Sequence, residues 1–170
     1  MDNQSNHLGV TGEFTKNGTP NGYTAITPFI VVRNPAEAIS FYEAVFKAET
    51  KNVTEFEHDG NKIIVHAEID FGFGFLQLGA ASQDYHLVLP PEDGNACYSF
   101  SIYVQDVDKT LTLATSHGAT IREPVTNFVS GDRYCSILDP SGIRWTIMSR
   151  IEDISQAESY QRVEEWSKNQ

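Results

Sequence analysis

Apolar residues follow a strand-like or helical spacing along most of the chain after residue 22. Residues 23–33 are rich in β-branched and aromatic side chains, which is typical of a strand. Asn34 is a candidate helix cap, with Pro35 at the first helical position. The apolar residues that follow recur every three or four positions and share one helix face: Ala38, Phe41, Tyr42, Val45 and Phe46. Three more strand-like segments follow at 50–57, 62–69 and 74–78, with the hairpin signal His58-Asp59-Gly60-Asn61 between the first two. The pattern predicts β-α-β-β-β over residues 23–79.

The same order of elements returns in the second half of the chain. Residues 97–104 predict a strand, Asp106 is a candidate cap for a second helix, and Gly118 would end that helix. Three strands are then predicted at 120–128, 133–138 and 144–149, with a turn at Asp139-Pro140-Ser141-Gly142 between the last two. The sequence therefore predicts an α+β domain over residues 23–150, made of two βαβββ modules at 23–79 and 97–150. We expect a flexible tail at 1–22 and a C-terminal helix within 151–170.

Several short motifs occur in the order found in a known superfamily. They are residues 27–32 and 34–46 in the first module, then 104–108, 117–119 and Asp139-Pro140-Ser141-Gly142 with Trp145 in the second. This set resembles the vicinal oxygen chelate superfamily of glyoxalase, bleomycin-resistance and extradiol dioxygenase proteins. Residues 66–69 and 75–79 are similar to its PhnB-like branch. The resemblance implies a curved eight-stranded mixed sheet that closes into a cup, with the helices on its outer face and the chain paired as a homodimer.

Strand alternation predicts which side chains line this cup. Successive residues of a strand point to opposite faces, so one face packs on the helices and the other faces the cup. On the third strand, the cup-facing residues are Ile64, His66 and Glu68. The cup face is then a mixture of aromatic rings and a few polar groups, which is typical of a site for a small organic ligand. The predicted ligand-binding residues are Phe29, His66, Glu68, Phe75, Gln77, Ser99, Tyr103, Arg144 and Thr146. Arg133 or Cys135 is a further candidate.

The residues at the superfamily's metal positions are unsuited to a transition metal. The resemblance implies four ligands, typically His and Glu, on the first, fourth, fifth and eighth strands. The matching positions hold Thr27, Gln77, Ser99 and Thr146. Neutral hydroxyls and an amide are poor ligands for Zn²⁺, Ni²⁺ or Fe²⁺. We therefore expect no metal and no cofactor, which argues against glyoxalase or dioxygenase chemistry.

Composition narrows the classes of partner. The 170-residue chain carries a formal charge of −11, which disfavours binding to nucleic acid. No stretch of 18 apolar residues predicts a membrane span, and the first residues have neither the basic start nor the apolar run of a signal peptide. Cys97 and Cys135 lack a metal-type spacing and are expected to be buried, reduced thiols. These features favour a cytoplasmic protein.

Three functions remain open at this point. The leading hypothesis is metal-free binding of a small aromatic or planar molecule, as in proteins that sequester drugs or metabolites. The alternative is a small glyoxalase-like lyase, isomerase or oxygenase that uses His66 and Glu68 as acid–base groups or metal ligands. Both side chains lie on one strand face, although such a pair also commonly satisfies buried hydrogen bonds. The third is a structural or regulatory dimer with a vestigial cup.

The donor set at the four metal positions predicts that the purified protein contains no stoichiometric divalent metal. Elemental analysis after mild purification measures this directly. About one Zn²⁺, Ni²⁺ or Fe²⁺ per chain, lost on substitution of Gln77 or Ser99, would contradict the prediction.

Overall fold

A computed structural model of the chain describes residues 8–58 and 60–170, and it contains two βαβββ modules. An N-terminal hairpin of β1 (Thr15–Lys16) and β2 (Thr19–Pro20) precedes them. The first module comprises β3 (Phe29–Val31), α1 (Pro35–Phe46), β4 (Glu49–His58), β5 (Asn61–Asp70) and β6 (Phe75–Gly79). The second comprises β7 (Phe100–Tyr103), α2 (Val107–Ser116), β8 (Thr120–Asn127), β9 (Asp132–Leu138) and β10 (Arg144–Arg150). Helix α3 (Gln156–Ser167) follows.

Each module forms a four-stranded mixed sheet with the same topology. The strand orders are β3-β6-β5-β4 and β7-β10-β9-β8, and in each sheet the first strand pairs in parallel with the last. This repetition confirms the predicted α+β fold of two repeats. The eight strands do not close into one continuous sheet, because β3 and β7 are the short edge strands of two separate sheets. The first strand is shorter than predicted: residues 23–28 stay outside the regular strand, and Pro28 has no amide hydrogen to donate.

The helices begin where the sequence predicts. The Asn34 side chain accepts a hydrogen bond from the amide of Glu37 at 3.3 Å, and Pro35 occupies the first helical turn of α1. Asp106 accepts from the amide of Lys109 at 3.0 Å at the start of α2. These caps define the residue at which each helix begins.

The hydrophobic core lies between the helices and the sheets. Its fully buried side chains include Tyr42, Ile69, Leu78, Ile137, Ile143 and Ile147. Trp145 is also buried, as expected for a residue on the helix face. Cys135 is buried, but Cys97 is exposed because it lies in the irregular segment before β7, so its predicted burial is wrong.

A buried carboxylate joins the two modules. Asp139, in the turn between β9 and β10, accepts hydrogen bonds from Tyr42 Oη of α1 at 2.7 Å and from Trp145 Nε1 at 3.0 Å. The amides of Ser141 and Ile143 donate to its other oxygen, both at 2.9 Å. Burial raises the pKa of Asp139, and these donors offset part of that effect. The motif predicted as a turn is therefore also the polar contact between the modules.

A bulge in β5 changes the predicted alternation. Thr54 pairs with His66 whereas Glu55 pairs with Ile64, so Val65 is an extra residue in the ladder. Ile64 consequently packs against the core, and its predicted place on the cup face is wrong. Gly79 lies so close to this bulge that an added Cβ would be 2.2 Å from the Val65 carbonyl oxygen. The sheet therefore requires glycine at position 79.

The chain ends are more structured than the sequence predicted. Residues 15–20, within the predicted flexible tail, form a hairpin whose turn residues Asn17 and Gly18 have positive φ angles of 50° and 80°. Residues 1–7 of that predicted tail lie outside the described residues. The expected C-terminal helix is present, and its Trp166 contacts Phe128 with ring centroids 5.1 Å apart.

The contact between Tyr42 and Asp139 predicts a measurable loss of stability in Tyr42→Phe. The substitution keeps the ring packing and removes one hydrogen bond to a buried carboxylate, which should lower the free energy of unfolding by about 1–3 kcal/mol. Denaturant unfolding measures the change, and Tyr160→Phe, at an exposed position of α3, is the matched control. Equal stability of the two variants would show that the contact contributes nothing.

Candidate functional site

Strand alternation correctly separates the two faces of β6 and β10. Leu76, Leu78, Trp145 and Ile147 are buried against the helices. Phe75, Gln77, Arg144 and Thr146 are partly exposed on the opposite, concave faces. Arg133 was a candidate for the concave face but instead binds Asp108 of α2 at 2.7 Å. Cys135 lies two residues further along β9 and is buried in the core, so neither belongs to the site.

Five predicted residues lie together on the concave face of the first sheet. Gln77 is the cross-strand neighbour of both Phe29 and Glu68, and its amide donates to Glu68 Oε1 at 3.3 Å. The rings of Phe29 and His66 stack with centroids 6.1 Å apart. Phe75 lies two residues before Gln77 on the same strand face. The alternation of β5 and β6 thus places aromatic rings around a single carboxylate.

Tyr23 is a member of this cluster that the sequence did not identify. Its hydroxyl donates to Glu68 Oε2 at 2.7 Å, and its ring stacks on Phe75 at 4.6 Å with an interplanar angle of 11°. The hydrogen bond to Glu68 raises the pKa of the Tyr23 hydroxyl, so the phenol stays protonated as a donor. In the sequence, Tyr23 differs from its neighbours only as an aromatic residue with a polar group at the start of the first predicted strand, which did not indicate a contact with Glu68.

The concave face of the second sheet carries a balanced ion pair. Arg144 donates to Glu123 Oε1 of β8 at 2.7 Å and to Ser136 Oγ at 3.2 Å. Glu123 was missed because nothing in the alternation of β8 marks it as the partner of β10. Tyr103 and Ser99 are exposed near the edge of this sheet, and Thr146 shares the face of Arg144. The predicted residues therefore fall into two groups, one on each sheet.

An apolar cleft lies at the junction of the two modules. It has a volume of about 360 Å³ and draws its walls from both sheets and from the turn between β5 and β6. Of the predicted ligand-binding residues it contains Phe75 and Tyr103. Other lining residues are Pro28, Phe71, Phe73, Leu76, Phe100, Ile102 and Trp145. Phe73 is fully exposed and Tyr103 is 60% exposed, so two aromatic side chains at this cleft face solvent.

The residues at the superfamily's metal positions do not fit a transition metal. Gln77 is engaged with Glu68, and Thr27, Ser99 and Thr146 offer only hydroxyl groups. Within residues 8–58 and 60–170, no group of three or more His, Cys, Asp or Glu side chains is arranged to hold a metal ion. The side chains at the four metal positions therefore lack the imidazole, carboxylate or thiolate groups that a transition metal favours.

Family comparison agrees with this architecture. The family model for the glyoxalase/bleomycin resistance protein/dioxygenase superfamily matches residues 11–147. The chain belongs to this superfamily. The match begins at residue 11, four residues before the N-terminal hairpin and earlier than the predicted boundary at residue 23. An uncharacterized protein of Mycobacterium bovis is 28% identical over 138 residues, which cover 79% of this chain and 88% of that protein.

Solved structures of other proteins share the fold. A PhnB protein from Bacillus cereus matches 74% of this chain and 99% of its own with a TM-score of 0.58 and 16% identity. A second match is FosX, a fosfomycin resistance protein from Listeria monocytogenes that was solved with Mn(II) and dihydroxypropylphosphonic acid. The match covers 81% of this chain and 94% of the FosX chain, with a TM-score of 0.57 and 11% identity. The superfamily assignment made from the sequence is confirmed. Across the described residues, the helices are too short or too polar to cross a membrane.

Proposed function

We propose that the protein binds a small aromatic or planar organic molecule at the concave faces and the cleft between its modules, without a bound metal. The observation that carries this proposal is the aromatic lining of the cleft, where Phe73 and Tyr103 face solvent and Phe75 lies beside them. A contiguous exposed apolar surface is unfavourable in water and is typical of a binding site. A planar ligand would bury this surface by stacking on the rings.

The polar residues of the concave faces would orient such a ligand. Glu68 and Gln77 lie on the first sheet, and Ser99, Arg144 and Thr146 lie on or beside the second. Because Glu123 balances the charge of Arg144, the guanidinium is better suited to stacking on a ring face than to capturing a free carboxylate. Sparse polar groups on an apolar wall give orientation, while stacking gives affinity.

We further propose that the protein is a homodimer whose second copy covers the open faces. The two sheets end at the short edge strands β3 and β7, next to exposed apolar residues such as Ile26 and Tyr103. Unpaired edges and exposed apolar side chains both favour association.

Two free cysteines without a disulfide support a reducing, cytoplasmic environment.

An acid–base enzyme is the second candidate. Glu68 is a partly buried carboxylate whose described hydrogen-bond partners, Tyr23 and Gln77, are neutral, and His66 shares its strand face. A positioned carboxylate and an imidazole are the groups that general acid–base catalysis uses. Consumption of a bound compound at a rate that depends on His66 would favour this function over simple binding.

A thermal-shift screen of planar aromatic compounds, followed by calorimetry, tests the binding proposal. Because an aromatic pair contributes about 0.5–1.5 kcal/mol beyond the area that it buries, Phe75→Ala and Tyr103→Ala should each weaken binding by roughly tenfold. Tyr85→Ala, in an exposed loop away from the cleft, is the matched control and should bind like the wild type. Chelators should leave binding unchanged, and light scattering on the same sample should give the mass of two chains.

Two results would contradict the proposed binding and the proposed homodimer. Absence of any aromatic ligand that raises the melting temperature would remove the binding function. A monomer mass by light scattering at micromolar concentration would contradict the homodimer. The screen alone would then test the binding function.

A further inference from the structure

Tyr23 makes the two contacts that a planar ligand with one polar group would make on this face. Its ring lies parallel to Phe75 at 4.6 Å, and its hydroxyl donates to Glu68 at 2.7 Å. The first contact is aromatic stacking, and the second is a charge-assisted hydrogen bond. The side chain thus covers both the aromatic wall and the carboxylate of the first sheet.

The backbone around Tyr23 is loosely attached to the sheet. Tyr23 lies between the N-terminal hairpin and Pro28, outside every strand. Its amide bonds locally to the carbonyl of Pro20 at 3.1 Å, and residues Thr24 and Ile26 beside it are exposed. The side chain can therefore leave Phe75 and Glu68 without breaking a strand ladder.

We propose that Tyr23 is an internal occupant of the ligand site, and that the ligand is a planar aromatic molecule bearing a hydrogen-bond donor, such as a phenol, which displaces it. The ligand then stacks on Phe75 and donates to Glu68 in place of Tyr23. This inference rests on the proposed binding function and names the ligand class and the subsite.

The carboxylate explains the requirement for a donor. An ionised Glu68 only accepts hydrogen bonds, and Gln77 already donates to Oε1. A ligand without a donor would displace Tyr23 and leave Oε2 partly buried without a partner, which is unfavourable. The same oxygen therefore selects donor-bearing rings over rings of equal size that lack one.

The neighbouring charges disfavour anionic ligands. On the same sheet, Asp70 of β5 is the cross-strand neighbour of Phe75 on β6 and of Glu49 on β4. Lys51 bonds to both of these carboxylates, at 2.8 Å to Glu49 and 3.5 Å to Asp70. Asp70 and Glu49 thus share the ammonium of Lys51, and Glu68 adds a third carboxylate two residues along the same strand face. A neutral or cationic donor therefore fits this face better than a carboxylate or phosphate.

The affinities of two matched probes for wild type and Tyr23→Ala test the proposal. 2-Naphthol carries a donor on a planar fused ring, and 2-methoxynaphthalene has nearly the same ring surface without the donor. The apparent affinity of the wild type is the affinity of the open site multiplied by the fraction of molecules in which Tyr23 has left that site. Tyr23→Ala removes this competition, so it should bind 2-naphthol roughly tenfold more tightly than wild type. 2-Methoxynaphthalene should gain less from the same substitution.

Three further variants separate the contributions of the ring and the carboxylate. Tyr23→Phe keeps the ring and removes its hydroxyl, so its affinity for 2-naphthol should lie between those of wild type and Tyr23→Ala. Glu68→Ala in the Tyr23→Ala background should abolish the preference for 2-naphthol. Tyr85→Ala is the control for loss of an exposed tyrosine and should match wild type. Circular dichroism and melting temperature establish that each variant is folded.

Four other results of these binding measurements would overturn the proposal. Weaker binding of 2-naphthol to Tyr23→Ala would show that Tyr23 contacts the ligand as part of the site's wall. Unchanged binding would place the ligand elsewhere. Either result leaves the proposed function intact. Equal tightening of both probes would refute the donor requirement. Failure of both probes to bind wild type and Tyr23→Ala would contradict the proposed function as well.

Discussion

The position of one module against the other depends on the buried carboxylate of Asp139. It accepts hydrogen bonds from Tyr42 of the first module and from Trp145 of the second, within a layer of packed aromatic rings. Phe46 and Phe71 pack on Trp145 at 4.9 and 5.7 Å between ring centroids. Because Phe71 and Trp145 also line the cleft, a shift at Asp139 would change the shape of the candidate site.

The two concave faces offer different electrostatic environments. On the first sheet, Glu68 accepts from the neutral groups of Tyr23 and Gln77, so no cation among these partners balances it. On the second sheet, Arg144 and Glu123 balance each other. A ring bound on the first sheet would therefore meet an unbalanced acceptor, whereas a ring bound on the second sheet would meet a neutral, polar surface. This difference favours the first sheet for a ligand that carries a single donor.

The predictable part of the fold and site followed from local patterns. Helix caps and strand alternation act over a few residues, so the sequence predicted Asn34, Asp106 and the two faces of β6 and β10. Alternation failed at Ile64, because the bulge at Val65 depends on how β4 pairs and on the contact with Gly79. The sequence also predicted Asp139 only as a turn residue, because its contact with Tyr42 spans 97 positions. Tyr23 and Glu123 were missed for the same reason: each finds its partner through tertiary packing.

The proposed site for planar aromatic ligands comprises the concave faces and the cleft between the two modules. Nuclear magnetic resonance of protein carrying ¹³C-labelled aromatic rings, titrated with 2-naphthol, tests it most directly. If the ligand binds there, the ring signals of Phe75, Tyr103 and Tyr23 should shift with one common saturation curve, while those of Tyr85 and Tyr160 stay in place. Shifts confined to Tyr85, Tyr160 or other rings outside the cleft, or no saturable shift at all, would contradict it.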